Sequence, residues 1–152
     1  MGNEVRDEIE AIIKEKHIDR TSFHEYSKFH YDEIIRKFYY TFCDYQNFIP
    51  HIYLEHRYMH LRENLRKECL AGFLRSCNRV TYLKKIRNGI PDSAGKCFLI
   101  SSDGWVYEGC PEEICQVLGE TEGWLGDFIL LSDKFKWFII HDEIAECAFL
   151  YH

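Results

Sequence analysis

Apolar residues near the start of the chain recur at helical spacing. They fall three or four positions apart behind early acidic residues, at Val5, Ile9, Ile12 and Ile13. This pattern predicts an amphipathic helix over about residues 3–17. The aromatic-rich segment 26–45 is predicted as a second helix, although a strand over 38–42 fits its residues almost as well.

A longer apolar stripe follows Pro50 and predicts the longest helix of the chain, over about residues 53–77. The members of the stripe fall four residues apart, at Leu61, Leu65, Cys69, Phe73 and Cys77. A basic stretch follows, with Arg75, Arg79, Lys84, Lys85 and Arg87. The Gly, Pro and Ser residues of segment 88–95 predict a loop, which is the candidate seam between a helical front and a stranded back.

The pattern changes to strands after this loop. The sequence predicts a hairpin from strands 96–102 and 105–107, with the turn at Asp103 and Gly104. Pro111 predicts the start of a short helix that ends before Gly119. Further strands are predicted at 127–132, 136–141 and 145–151. Their apolar runs do not alternate with polar residues, so we expect helices from the front half to cover both faces of the sheet.

Together these elements predict one α+β domain spanning residues 1–152. We expect three N-terminal helices within about residues 1–90, packed on a mostly antiparallel sheet within about 96–152 that contains one short inserted helix. The chain has 152 residues, of which 46% are hydrophobic and 16% aromatic. This composition excludes a disordered chain, and the length suits a single core.

The seven cysteines form no CxxC pair and the first residues are charged, which predicts free thiols in a reducing cytoplasm. No apolar run approaches the ~18–20 residues that cross a bilayer, so we expect no membrane span. The sequence contains no cofactor motif, and no cofactor is expected.

Acidic residues are concentrated in the last third of the chain. Residues 96–152 hold eleven Asp and Glu against three Lys, a net charge of −8, whereas residues 1–95 hold +2, within a total of −6. Acid at turns is ordinary solubilising surface, but this asymmetry favours complementarity to a cationic partner. The overall charge argues against nucleic-acid binding by the basic stretch, since the field of the whole molecule opposes it.

Three segments of the last third also carry a resemblance: 96–109, 114–120 and 127–141. Their pattern resembles a group of small uncharacterised bacterial α+β proteins. It is also similar in general character to the immunity proteins that protect bacteria from polymorphic or contact-dependent toxins. The resemblance implies a cytoplasmic bacterial binding protein, and it identifies no catalytic residue.

Two groups of residues suggest enzyme chemistry instead. His56 and His60 lie four apart on a predicted helix and supply two metal ligands, but a zinc site needs three or four, and HExxH is absent. His141, Asp142 and Glu143 lie together at a strand end, with the thiols Cys115 and Cys147 as candidate nucleophiles. Adjacent side chains on a strand point to opposite faces, so an exposed polar turn is the simpler interpretation.

We therefore expect an immunity protein that is not an enzyme and that neutralises a cognate bacterial toxin domain, possibly a nuclease, by covering it with an acidic surface. The candidate contact residues are its acids and aromatics: Trp105, Tyr107, Glu120, Glu122, Trp124, Asp127, Asp133, Asp142, Glu143 and Glu146. One alternative is a small metal-dependent hydrolase built on His56 and His60. The other is a homodimer whose aromatics form a self-interface.

Overall fold

The fold is that of a computed structural model, which describes residues 4–44, 46, 56–70, 72–75, 78–121 and 126–151. These residues form five α-helices: α1 Glu4–Glu15, α2 Tyr31–Phe42, α3 Arg57–Glu63, α4 Arg79–Gly89 and α5 Pro111–Glu120. They also form seven strands: β1 Phe23–Glu25, β2 Gly72–Arg75, β3 Cys97–Ser101, β4 Val106–Gly109, β5 Phe128–Ser132, β6 Phe138–Asp142 and β7 Cys147–Tyr151. The predicted α+β class is confirmed.

All seven strands join one antiparallel sheet in the order β1-β4-β3-β5-β6-β7-β2. The five inner strands come from the last third of the chain and were predicted. The two edge strands come from the front half and were not predicted. Strand β1 lies between the predicted helices 3–17 and 26–45, and β2 lies within the predicted helix 53–77. Both halves of the chain therefore build the same sheet, and the loop before β3 separates no independent core.

Helices cover both faces of the sheet, as the apolar runs predicted. Every residue of β3 and β5 is buried. On one face, α4 packs on β6 and β7, and Tyr82 of α4 meets His141 of β6 with ring centroids 5.4 Å apart. On the other face, α2 packs the Phe42 ring on Phe138 at 4.8 Å. The cover is not drawn from the front half alone, because α5 packs beside α1 and α4.

The prediction of one long helix over 53–77 was wrong. Helix α3 ends at Glu63, a 3-10 turn covers Lys67–Leu70, and β2 begins at Gly72. The chain turns because Leu65 forms a β-bridge with Cys43 at the end of α2. A spacing of four is also a multiple of the strand period of two, so the stripe fits either structure.

No helix within the described part of the chain is both long and apolar enough to cross a bilayer. The six described cysteines are free thiols. Cys77 lies outside the described residues.

Candidate functional site

Four carboxylates meet at one end of the sheet. Strand β5 begins, β6 ends and β7 begins there, because the register pairs Phe128 with His141 and Asp142 with Cys147. The residues on and beside these strand ends include four of the predicted contact residues. We call this group the acidic end, and its members are Asp127, Asp142, Glu143 and Glu146.

Hydrogen bonds between carboxylates and backbone hold the acidic end in shape. Asp127 Oδ1 accepts the backbone N–H of Glu143 at 2.7 Å, which ties the start of β5 to the turn after β6. Asp142 Oδ1 accepts the N–H of Ala145 at 3.0 Å, a local bond that closes the turn. The tip of this turn carries Ile144, which is 91% exposed. An apolar side chain therefore projects into solvent between acidic residues.

Most of the negative charge at this end is not neutralised. Asp142 pairs with Arg62 of α3 at 3.2 Å, and the Arg62 guanidinium lies over the Phe149 ring at 4.4 Å. Within the part of the chain that the structure describes, no cation forms an ion pair with the other three members, Asp127, Glu143 and Glu146. The acidic end therefore presents a net negative potential to solvent.

His141 lies directly beneath the acidic end and is 6% exposed. Its Nδ1 lies 2.6 Å from the Tyr82 hydroxyl, and its carbonyl oxygen accepts the Tyr58 hydroxyl at 2.5 Å. Burial lowers the pKa of the imidazole, and the carboxylates of Asp127, Glu143 and Asp142 oppose that shift. His141 thus fastens β6 to helices on both faces of the sheet.

The hypothetical acid/base group at 141–143 is not assembled. His141 meets α4 on one face of the sheet, whereas Asp142 meets Arg62 of α3 on the other. The candidate nucleophiles are not activated either. Burial raises the pKa of Cys147, and it raises the pKa of Cys115 to about 11, so both thiols stay protonated near neutral pH.

Two predicted contact residues are corrected by the structure, because they belong to the core. Trp105 is 7% exposed and lies beneath the Arg6 guanidinium at 4.7 Å. Tyr107 is fully buried and stacks on Phe23 at 5.4 Å. Neither ring can reach a partner in the folded chain, so both leave the candidate interface.

Two further predicted contact residues, Glu120 and Asp133, do not join the acidic end. Glu120 is exposed at the end of α5 and pairs with Lys16 at 3.5 Å. Asp133 is exposed in the turn between β5 and β6, at the opposite end of the sheet. Glu122 and Trp124 lie outside the described residues.

The two histidines of the metal hypothesis form no metal site with other described residues. His60 stacks on Tyr39 at 4.9 Å, and burial lowers its pKa. His56 is exposed immediately before α3. Across the described residues, no group of three His, Cys, Asp or Glu is placed to hold a metal ion.

Two arginines of the basic stretch, Arg79 and Arg87, make contacts within the fold. Arg79 Nη2 donates to the carbonyl oxygens of Leu118, Gly119 and Thr121 at the end of α5. Arg87 pairs with Glu112 at 2.6 Å. These two arginines therefore bind α5 to α4 within the fold.

Ile144 is not among the contact residues predicted from the sequence. Its signal is an apolar residue in a polar turn, between Glu143 and the Ala145-Glu146 pair, where burial is hard to achieve. The apolar anchors predicted from the sequence are aromatic, and the fold buries two of them, Trp105 and Tyr107.

The chain belongs to a family of unknown function, DUF6756, whose model matches residues 1–152. Neither a curated protein nor a solved structure matches the chain.

Proposed function

We propose that this DUF6756 member is an immunity protein of the bacterial cytoplasm that binds the basic face of a toxin domain through its acidic end. One observation carries the proposal: three carboxylates without ion-pair partners among the described residues lie on or beside a turn that carries an exposed isoleucine and is held by hydrogen bonds to backbone. A nuclease is the favoured toxin class, because its substrate-binding surface must be cationic.

The carboxylates contribute mainly to the rate of association. Opposite charges steer an encounter and raise the association rate toward ~10⁸–10⁹ M⁻¹s⁻¹ at low salt. Rapid capture suits a protein that must neutralise a toxin before damage occurs. The same steering weakens as salt shortens the screening length to about 3 Å at 1 M.

Ile144 supplies the apolar anchor that charge alone lacks. Hot spots of protein interfaces are side chains that become fully desolvated, and a ring of polar residues around them excludes water. Asp127 and Asp142 hold the turn through their bonds to Glu143 and Ala145, so little ordering is required on binding. The acidic end therefore has the arrangement of an interface centre with a charged rim.

The proposal is tested by affinity capture from the source cells with three baits. They are the wild-type chain, the variant Glu143→Lys/Glu146→Lys, and a matched control, Asp133→Lys, which changes charge at the opposite end of the sheet. We expect a basic protein to bind the wild type and the control at low salt, to leave at high salt, and to miss the double variant. Equal capture by all three baits would remove the acidic end from the proposal.

Neutralisation needs a second measurement. The captured partner is expressed alone and then together with each bait, and cell growth is recorded. We expect growth arrest by the partner alone, rescue by the wild type and the Asp133→Lys control, and reduced rescue by the double variant. A partner that binds but does not slow growth would contradict the immunity role. Only the proposal that the acidic end binds a basic protein would then remain.

The alternative that the chain forms a homodimer stays a prediction. Light scattering on the purified chain at micromolar concentration separates this alternative from the immunity proposal, because a homodimer forms without any partner.

A further inference from the structure

A second candidate site lies at the end of the sheet opposite the acidic end. The loop after α4 and the turn between β5 and β6 face each other there, because β3 begins opposite the end of β5 through the pair Cys97 and Ser132. They enclose a surface cleft of about 470 Å³. That volume lies within the range of small-molecule sites, about 300–1,000 Å³.

The lysines of the last third are gathered around this cleft. Residues 96–152 contain only three, Lys96, Lys134 and Lys136. Lys134 and Lys136 line the cleft and are exposed, and Lys96 directly follows the lining residue Gly95. Among the described residues of the lining, Asp133 is the one carboxylate, so two lysines and one carboxylate leave a net charge of +1. Beside the lining, Asp92 lies between Pro91 and Ser93 and offsets the charge of Lys96.

The turn that carries the lysines is fixed by its central residue. Phe135 adopts a left-handed backbone, with φ of 56°, and its ring is 8% exposed. The Lys37 ammonium lies 4.7 Å from the centre of that ring, and Phe135 N–H donates to the Ser132 carbonyl at 2.9 Å. Lys134 and Lys136 therefore flank an anchored residue, which lowers the cost of ordering them around a ligand.

The remaining lining supplies hydroxyl donors and an apolar wall. Ser132 Oγ accepts the Lys134 N–H at 3.1 Å, which leaves its hydroxyl hydrogen to donate, and Ser93 adds a second hydroxyl. Pro91, Ala94 and Trp137 contribute carbon surface. Cationic and hydroxyl donors together suit an anion with three acceptor oxygens better than a carboxylate with two.

We propose that this cleft binds a small phosphate ester, with its phosphate at Lys134 and Lys136 and its carbon part against Pro91, Ala94 and Trp137. The site is separate from the acidic end and does not depend on the immunity proposal. Phenyl phosphate is the simplest probe, because it combines a phosphate with one ring. Inorganic phosphate tests the phosphate without the ring, and benzoate tests the ring with a carboxylate in place of the phosphate.

Titration calorimetry on the full chain tests the site with two independent variants. Lys134→Gln/Lys136→Gln removes the charge, and Lys84→Gln, an exposed lysine of α4, is its matched control. Gly95→Phe adds a bulky side chain to the cleft lining without changing charge, and the fold has room for it, since a Cβ at Gly95 meets no atom within 4 Å. Thermal unfolding of each variant verifies that the fold is retained.

We expect phenyl phosphate to bind more tightly than inorganic phosphate or benzoate. The double lysine variant should weaken binding by at least about tenfold, because charge-assisted hydrogen bonds are the stronger class. Gly95→Phe should abolish binding and Lys84→Gln should leave it unchanged. Absence of phenyl phosphate binding at millimolar concentration, or equal binding by all variants, would overturn the proposal.

Discussion

Acid should destabilise this protein through His141. Burial holds the pKa of its imidazole below the unfolded value of 6.5. The unfolded chain therefore binds more protons below pH 6.5, and stability falls as pH decreases from there toward the folded pKa. If the folded imidazole stays neutral, the loss by pH 5.5 reaches about 1.4 kcal/mol, which lowers the unfolding temperature by about 3–6 °C in a domain of this size.

Urea unfolding at pH 7.5 and pH 5.5 measures this effect. His141→Gln removes the titrating group but retains the carbonyl that accepts the Tyr58 hydroxyl, so its stability should change less between the two pH values than that of the wild type. His60→Gln should also reduce the change, because burial lowers the pKa of His60 too. His56→Gln replaces an exposed histidine as the control. An equal pH dependence in the wild type and His141→Gln would refute this reasoning.

Three further predictions concern single side chains. Gly109→Ala places a Cβ 2.9 Å from the Ser22 carbonyl oxygen and should cost about 1–3 kcal/mol in urea unfolding, whereas Gly95→Ala, which meets open space, should cost nothing. Arg79→Ala removes three carbonyl contacts at the end of α5 and should lower the free energy of unfolding by about 2 kcal/mol. Ile144→Ala should leave the unfolding temperature unchanged and weaken binding of the captured partner, and an altered unfolding temperature would count against its surface role.

The inner strands were predictable because their local pattern and their burial agree. Strands β3, β5 and β6 are runs of five residues, apolar for most of their length, that helices cover on both faces, and turn residues separate them. The edge strands were not predictable, since β1 has three residues, two of them polar, and β2 has four. Pairing with an existing sheet, not local pattern, makes such short segments strands.

The composition of the candidate site was predictable, but its place was not. Charge counting identified the acidic third of the chain. The register of β5 and β6 places Asp127 near Asp142 and places Asp133 at the opposite end of the sheet. Trp105 was predicted at the surface, but it lies in the turn before β4. Its backbone N–H donates to Ser101 Oγ at 3.1 Å, and its ring lies beneath the Arg6 guanidinium.

Antiparallel pairing places the acidic end and the lysine-bearing turn at opposite ends of the sheet. Successive turns of such a sheet alternate between its ends, so the turn after β6 collects carboxylates while the turn after β5 presents Lys134 and Lys136. A variant at one end should therefore leave the other end unaffected, because the five residues of β5 span about 17 Å, which exceeds the ~8 Å screening length at physiological salt. Glu143→Lys/Glu146→Lys should bind phenyl phosphate like the wild type, and Lys134→Gln/Lys136→Gln should retain the basic partner. Loss of both activities in either variant would show that the two ends do not act independently.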